Sequence, residues 1–167
     1  MTMNATIRFA SLLLGTTLLS LPAYADEVDC SGSMGAVSID GDIRVPSGRT
    51  CTLNGTRVDG NVRVARAATL LARDVKVEGN IQAEGARQVS LLGGSYVGGN
   101  VQLEQGSSVK VDAAEVDGDI QLFANSGAVH VNRNRVDGNL QCKSNQHPIT
   151  GGGNRVRGNK EDQCAGL

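Results

Sequence analysis

The sequence predicts an all-β fold: a single-stranded parallel β-helix (a β-solenoid) of about six to seven coils, stapled by disulfides at both ends. Three observations lead there. The pattern apolar-x-Gly-Asn/Asp-apolar recurs seven times, with its glycines at 41, 60, 79, 99, 118, 138 and 158, so the intervals are 19, 19, 20, 19, 20 and 20. Such constancy of period is the mark of a solenoid. Apolar residues between the glycines come in pairs two apart, the period of a strand. Finally, 22 glycines against an aromatic fraction of 2% and no tryptophan suit short strands and frequent turns rather than a helical bundle.

The first 25 residues stand outside the repeat. Arg8 opens a short basic region, Phe9 to Leu21 is apolar apart from Ser, Thr and Gly, and Ala23-Tyr24-Ala25 is an A-x-A cleavage pattern. The apolar run is too short to span a bilayer, so residues 1–25 read as a secretory signal peptide. No transmembrane segment is expected after its removal. The expected location is the periplasm or the extracellular space. Residues 26–36 read as an N-terminal cap, 37–159 as the β-helix repeats and 160–167 as a C-terminal cap.

Each repeat carries two apolar strand regions. One lies around and just after the glycine, as in Val62-x-Val64, Val101-x-Leu103 and Ile120-x-Leu122. The other follows about ten residues later, as in Val89-x-Leu91, Val109-x-Val111 and Val129-x-Val131. Leucine-rich repeats share the length but need a denser leucine ladder. Coils stacked at about 4.8 Å make a rod near 30 Å long. Right-handed winding is the expectation, though no residue pattern fixes the hand.

The Gly-Asn/Asp pair reads as architecture. The glycines (Gly41, Gly60, Gly79, Gly99, Gly118, Gly138 and Gly158) allow a corner that a Cβ would obstruct. The residues after them (Asp42, Asn61, Asn80, Asn100, Asp119, Asn139 and Asn159) can bond neighbouring backbone and one another from rung to rung. Their functional alternative is a row of ligands for a cation or a sugar.

Two further rows are expected to point outward as a candidate binding face. One holds Asp40, Asp59, Glu78, Asp117 and Asp137; the other, three positions after the glycine, holds Gln82, Gln102 and Gln121. Like charges one rung apart repel, so an isolated acidic row would invite a cation. Arg57, Lys76, Arg135 and Arg155 lie two positions before the acidic row and can neutralise it as exposed ion pairs. Gly-Gly-x-Gly-x-Asp nonapeptides, which bind calcium in other β-rolls, are missing. Calcium therefore stays open, and no other cofactor or metal is expected.

Four cysteines follow the leader, at 30, 51, 142 and 164. Export and the even count favour disulfides. Separations of 21 and 22 residues, about one coil each, pair Cys30 with Cys51 and Cys142 with Cys164. A spacing of about 4.8 Å lies inside the Cα range a disulfide accepts. Each bond closes a loop of about 20 residues, a stabilisation of about 3 kcal/mol on the chain-entropy estimate. Lys160 and Asp162 take inward positions in the last repeat, so the core is expected to end there.

Chemistry is sparse. The near balance of 16 basic and 17 acidic residues argues against a nucleic-acid partner. A Gly-x-Ser-x-Gly elbow, a His-Glu-x-x-His pair and a phosphate-binding loop are all missing. His130 and His147 lie about one coil apart without the further ligands zinc needs. Coil length varies by a single residue, leaving no insertion to wall a cleft. No catalytic residue is assigned, and the expectation is a non-enzyme.

The tandem Val-x-Gly-Asn-Val repeats over roughly residues 37–159 resemble bactofilins, polymer-forming bacterial cytoskeletal proteins. That resemblance implies a right-handed β-helix that polymerises end to end. The leader and the cysteines depart from that family, which is cytosolic and generally lacks disulfides. Gly138-Asn139-Leu140-Gln141-Cys142-Lys143 and Gly158-Asn159-Lys160-Glu161-Asp162-Gln163-Cys164 also resemble small secreted bacterial proteins of unassigned function. The expectation is a structural or adhesive module of the bacterial envelope or exterior, contacting a cell-surface polymer, another envelope protein or its own copies. The alternative is a glycan- or calcium-binding module that uses the Asp, Asn and Gln rows.

Overall fold

The computed structural model describes residues 26–167; the expected leader, residues 1–25, lies outside them. Every sheet is parallel, and each coil gives one strand to each of three faces. The first face runs through eight strands from Glu27–Asp29 to Lys160–Asp162. The second has seven, from Gly32–Met34 to Thr150–Gly152, and the third seven, from Ser38–Ile39 to Arg155–Val156. This is a β-solenoid of about seven turns, as the repeat predicts.

The sequence suggested two strand regions per coil; the structure has three. The apolar residue two positions before each glycine, Ile39 in the first repeat and valine in the others, belongs to a separate two-residue strand, such as Arg57–Val58 or Tyr96–Val97, and the Gly-Asn pair turns the chain onto the next face. Two residues are too few for an alternation to be visible, which is why this face was merged with the next one.

Like stacks on like inside. Ile43, Val62, Ile81, Val101, Ile120 and Leu140 form one register on the first face. Leu53, Ala72, Leu91, Val111 and Val131 form one on the second. Val58, Val77, Val97, Val116 and Val136 form the third face's ladder. All are buried. β-Branched side chains suit such a pleated, confined core, since they lose little rotamer freedom there.

The corners differ in mechanism. At the first two corners the chain turns on a residue with positive φ, glycine at some rungs but Ala67 (60°), Gln105 (52°), Ala113 (55°), Ala124 (53°) and Arg133 (54°) at others. The third corner works otherwise. Gly60, Gly79, Gly99, Gly118, Gly138 and Gly158 do not have positive φ; what excludes a side chain is the neighbouring rung. A Cβ on Gly60 would lie 2.5 Å from the Gly41 carbonyl oxygen and 2.3 Å from Asp42 Oδ1. Close stacking, rather than a special backbone angle, selects glycine at these six; Gly41, at the first rung, has both, with φ at 127° and the Asp26 carbonyl oxygen 2.1 Å from an added Cβ.

Both ends are closed by cystine. Residues 26–36 are themselves part of the stack, since Glu27–Asp29 and Gly32–Met34 pair with the coil above. Their coil is shortened at the first corner, which brings Cys30 inward beside Cys51, with Cα atoms 5.5 Å apart. At the other end Lys160 and Asp162 align with Leu140 and Cys142. The chain then turns back, so that Cys164 bonds Cys142 and Leu167 packs on the core. The Lys160 ammonium is held there by the Leu167 carbonyl oxygen. All four cysteines are buried.

Candidate functional site

The residues singled out in the sequence form rows along the rod, the acidic one interrupted at Gly98. At the third corner each Asn or Asp side chain from Asp42 to Asn139 accepts the backbone N–H of its counterpart one rung on. Asn61 donates to Asp42 Oδ1 (2.7 Å), Asn80 to Asn61 Oδ1 (2.9 Å), Asn100 to Asn80 Oδ1 (2.7 Å) and Asp119 to Asn100 Oδ1 (2.7 Å). Asn139 donates to Asp119 Oδ1 (2.6 Å) and Asn159 to Asn139 Oδ1 (2.9 Å). The Oδ1 acceptors are thereby occupied along the rod.

The glutamine row on the first face is also engaged with itself. Gln82 donates to Gln102 (2.9 Å), Gln102 to Gln121 (2.7 Å), Gln121 to Gln141 (3.0 Å), and Gln141 to Glu161 Oε2 (2.8 Å). Below this row the same positions hold Arg44 and Arg63, which engage the acidic N-terminal coil. Arg44 forks onto Asp29 at 2.7 and 2.9 Å, and Arg63 bridges Glu27 (3.1 Å) and Asp42 (2.7 Å). The Arg44 guanidinium holds the Asp29 carboxyl below the usual range. Asp42 is also lowered, chiefly by the Asn61 backbone N–H and, against the cost of burial, by the Asn61 side chain and Arg63.

The acidic row runs along the edge of the third face with cations beside it. Lys76 pairs with Glu78, Arg135 with Glu115 (3.3 Å), and Arg157 with Asp137 (3.2 Å). Asp117 accepts the Tyr96 hydroxyl at 2.7 Å, and Lys76 lies over the Tyr96 ring at 5.8 Å. That hydrogen bond, desolvation and the nearby carboxylates push the Tyr96 hydroxyl up to about 12. Asp40 and Asp59 stand exposed at the N-terminal end. Among the described residues no three His, Cys, Asp or Glu side chains gather as a metal site, and no helix is long and apolar enough to cross a membrane. His130 Nδ1 lies 3.2 Å from Thr150 Oγ1; His147 is exposed.

Two features escaped the sequence reading. Buried asparagines form ladders at the first two corners: Asn125 Nδ2 donates to Leu103 O, and Asn145 Oδ1 accepts from the Asn125 backbone N–H, each at 3.0 Å. Asn134 likewise donates to Val111 O (2.9 Å), while its own N–H bonds Asn154 Oδ1 (3.0 Å). The 20-residue spacing of these pairs was the available signal. The second feature is a segregation of charge. First-face strands carry seven carboxylates, whereas second-face strands carry one, Asp112. Burial raises that carboxyl, but hydrogen bonds from Asn132 and Arg133 outweigh it and leave it lowered.

No family model matches the chain, and no curated protein and no solved structure matches it. The two disulfides point to an oxidising, exported compartment.

Proposed function

We propose that the chain is a non-enzymatic interaction module of the bacterial envelope or exterior, a short rigid rod that meets a surface polymer or another envelope protein through its sides. The observation that carries this reading is the closure of both ends. Cys30–Cys51 and Cys142–Cys164 seal the core, and the last first-face strand, Lys160–Asp162, sets two charged residues where apolar ones stack elsewhere. Such an end disfavours addition of a further coil, because an incoming strand would bury Lys160 and Asp162 against apolar residues.

The faces support the same reading. Their concavities are open-sided; the one on the first face, about 340 Å3, is bounded by Arg63, Gln82, Glu84, Gln102 and Glu104. The Asn and Asp Oδ1 atoms hold backbone N–H groups, the Gln amides bond one another, and Glu78 and Asp137 meet cations while Asp117 meets Tyr96, so a calcium- or glycan-binding role at those positions would have to break existing contacts. Light scattering of the oxidised, exported chain across a wide concentration range, with and without calcium, tests the reading. A monomer throughout is expected. Linear species that grow with concentration would replace it with an end-to-end assembly.

A further inference from the structure

The second face differs from its neighbours in what it lacks. A groove of about 380 Å3 crosses its strands, lined by Thr52, Leu71, Arg73, Ser90, Leu92 and Lys110 among others. A second hollow of about 210 Å3 shares Gln88, Ser90 and Lys110 with it and continues to His130. Together they make one trough along the rod axis, from the strand Thr50–Asn54 to the strand Val129–Asn132. No carboxylate lines either hollow. Among the described residues Arg73 and Lys110 are both exposed and neither is in an ion pair. Asp112, the one acid on these strands, is occupied by Asn132 and Arg133. Arg49 and Arg87 add positive charge where two of the strands begin.

We propose that this trough binds an acidic polysaccharide, a chain of uronate sugars lying along the rod axis. This rests on the interaction-module reading and gives its partner a chemistry. Arg73 and Lys110 would meet sugar carboxylates, and Thr52 and Gln88, the latter steadied by its bond to the buried Ser90 hydroxyl (3.1 Å), offer hydroxyl and amide groups to ring hydroxyls. Leu71 and Leu92 point outward yet are half-buried, so they form an aliphatic floor for the C–H faces of the rings. The strand spacing of about 4.8 Å is of the order of one sugar along an extended chain, so successive rings meet successive rungs. Single-stranded nucleic acid fits less well, because bases want a succession of aromatic platforms and the strands of this face carry no Phe, Tyr or Trp. A membrane surface fits less well too, because the two leucines line a hollow rather than protrude.

The test is calorimetric titration of the oxidised, exported chain with polygalacturonate, with its fully methyl-esterified form, with oligo-dT and with phosphatidylglycerol vesicles. Backbone amide shift mapping with polygalacturonate accompanies it. Polygalacturonate should bind, weakening as salt rises, with shifts confined to second-face strands; the methyl ester should bind at least tenfold more weakly. Arg73→Gln with Lys110→Gln should weaken binding at least tenfold at unchanged melting temperature, because both side chains are exposed. The proposal is overturned by no binding at low salt, by shifts on another face or by an unaffected double variant. Equal or tighter binding of oligo-dT or vesicles overturns it as well. The parent reading fails by a separate sign, concentration-dependent growth in scattering with no polymer added.

Discussion

Asn80 Oδ1 accepts the backbone N–H of Asn100 at 2.7 Å, and the same oxygen lies 2.4 Å from where a Cβ on Gly99 would be. The glycine and the asparagine of the repeat are therefore one device. The glycine lets the rungs approach, and the asparagine of the rung below fills the space that opens.

Gly99→Ala should then destabilise the fold by about 1–3 kcal/mol, the usual cost of forcing atoms into a packed site. Backbone as well as side chain would have to move, since the Gly79 carbonyl oxygen lies 2.9 Å from the added Cβ. Gly93→Ala is the control: its Cβ meets nothing closer than 3.6 Å. Denaturation followed by circular dichroism should separate the two; equal midpoints would remove the close-approach explanation.

Asparagines at different corners should differ in worth. Asn134 is 1% exposed and serves Val111 O and Ala114 N–H, so Asn134→Ala strands buried polar groups at about 2–3 kcal/mol. Asn80 is only half-buried, so water can replace part of its role and Asn80→Ala should cost about 1 kcal/mol. A reversed order in denaturant midpoints would contradict the ladder assignment.

Residues with positive φ at the first two corners carry strain that glycine would relieve. Gln105 (52°) and Ala124 (53°) are both exposed, so Gln105→Gly and Ala124→Gly should each stabilise by about 0.5–1 kcal/mol. Gln105→Val should do the reverse. Melting temperatures read this directly.

Tyr96 gives a pH signature. Its raised pKa means the folded state holds the phenol proton more tightly than the unfolded state. The stability this contributes is therefore complete below the unfolded value near 10 and is lost as pH rises through about 12. Tyrosinate absorbance should titrate near 12 in the wild type and closer to 10 in Asp117→Asn. The acid side has the opposite sign. Asp42 is lowered, so its contribution is present above about pH 4 and fades as pH falls through its folded value. Asp42→Asn keeps the Oδ1 acceptor for Asn61 but should flatten that acid limb.

What the sequence revealed follows from what repeats. The Gly-Asn spacing carries the rung count, the first two inward faces and both cystine pairings, because each is a relation at a constant offset. The third face was hidden, since Arg57–Val58 and its equivalents are too short to alternate. That a Cβ would obstruct the corner at Gly60 is legible in the repeat, but that the obstruction comes from the rung below is not, because close approach between rungs is a three-dimensional fact. The trough around Arg73 and Lys110 was missed for another reason. It is defined by missing carboxylates across several rungs, and an absence has no motif.

The most direct test of the account is peptide mass mapping of the protein recovered from its exporting host without reduction. An N-terminus at Asp26, with peptides joined through Cys30–Cys51 and Cys142–Cys164, is the expected result. A retained residue 1–25 segment, free thiols, or a Cys30–Cys164 crosslink would contradict an exported solenoid closed at both ends.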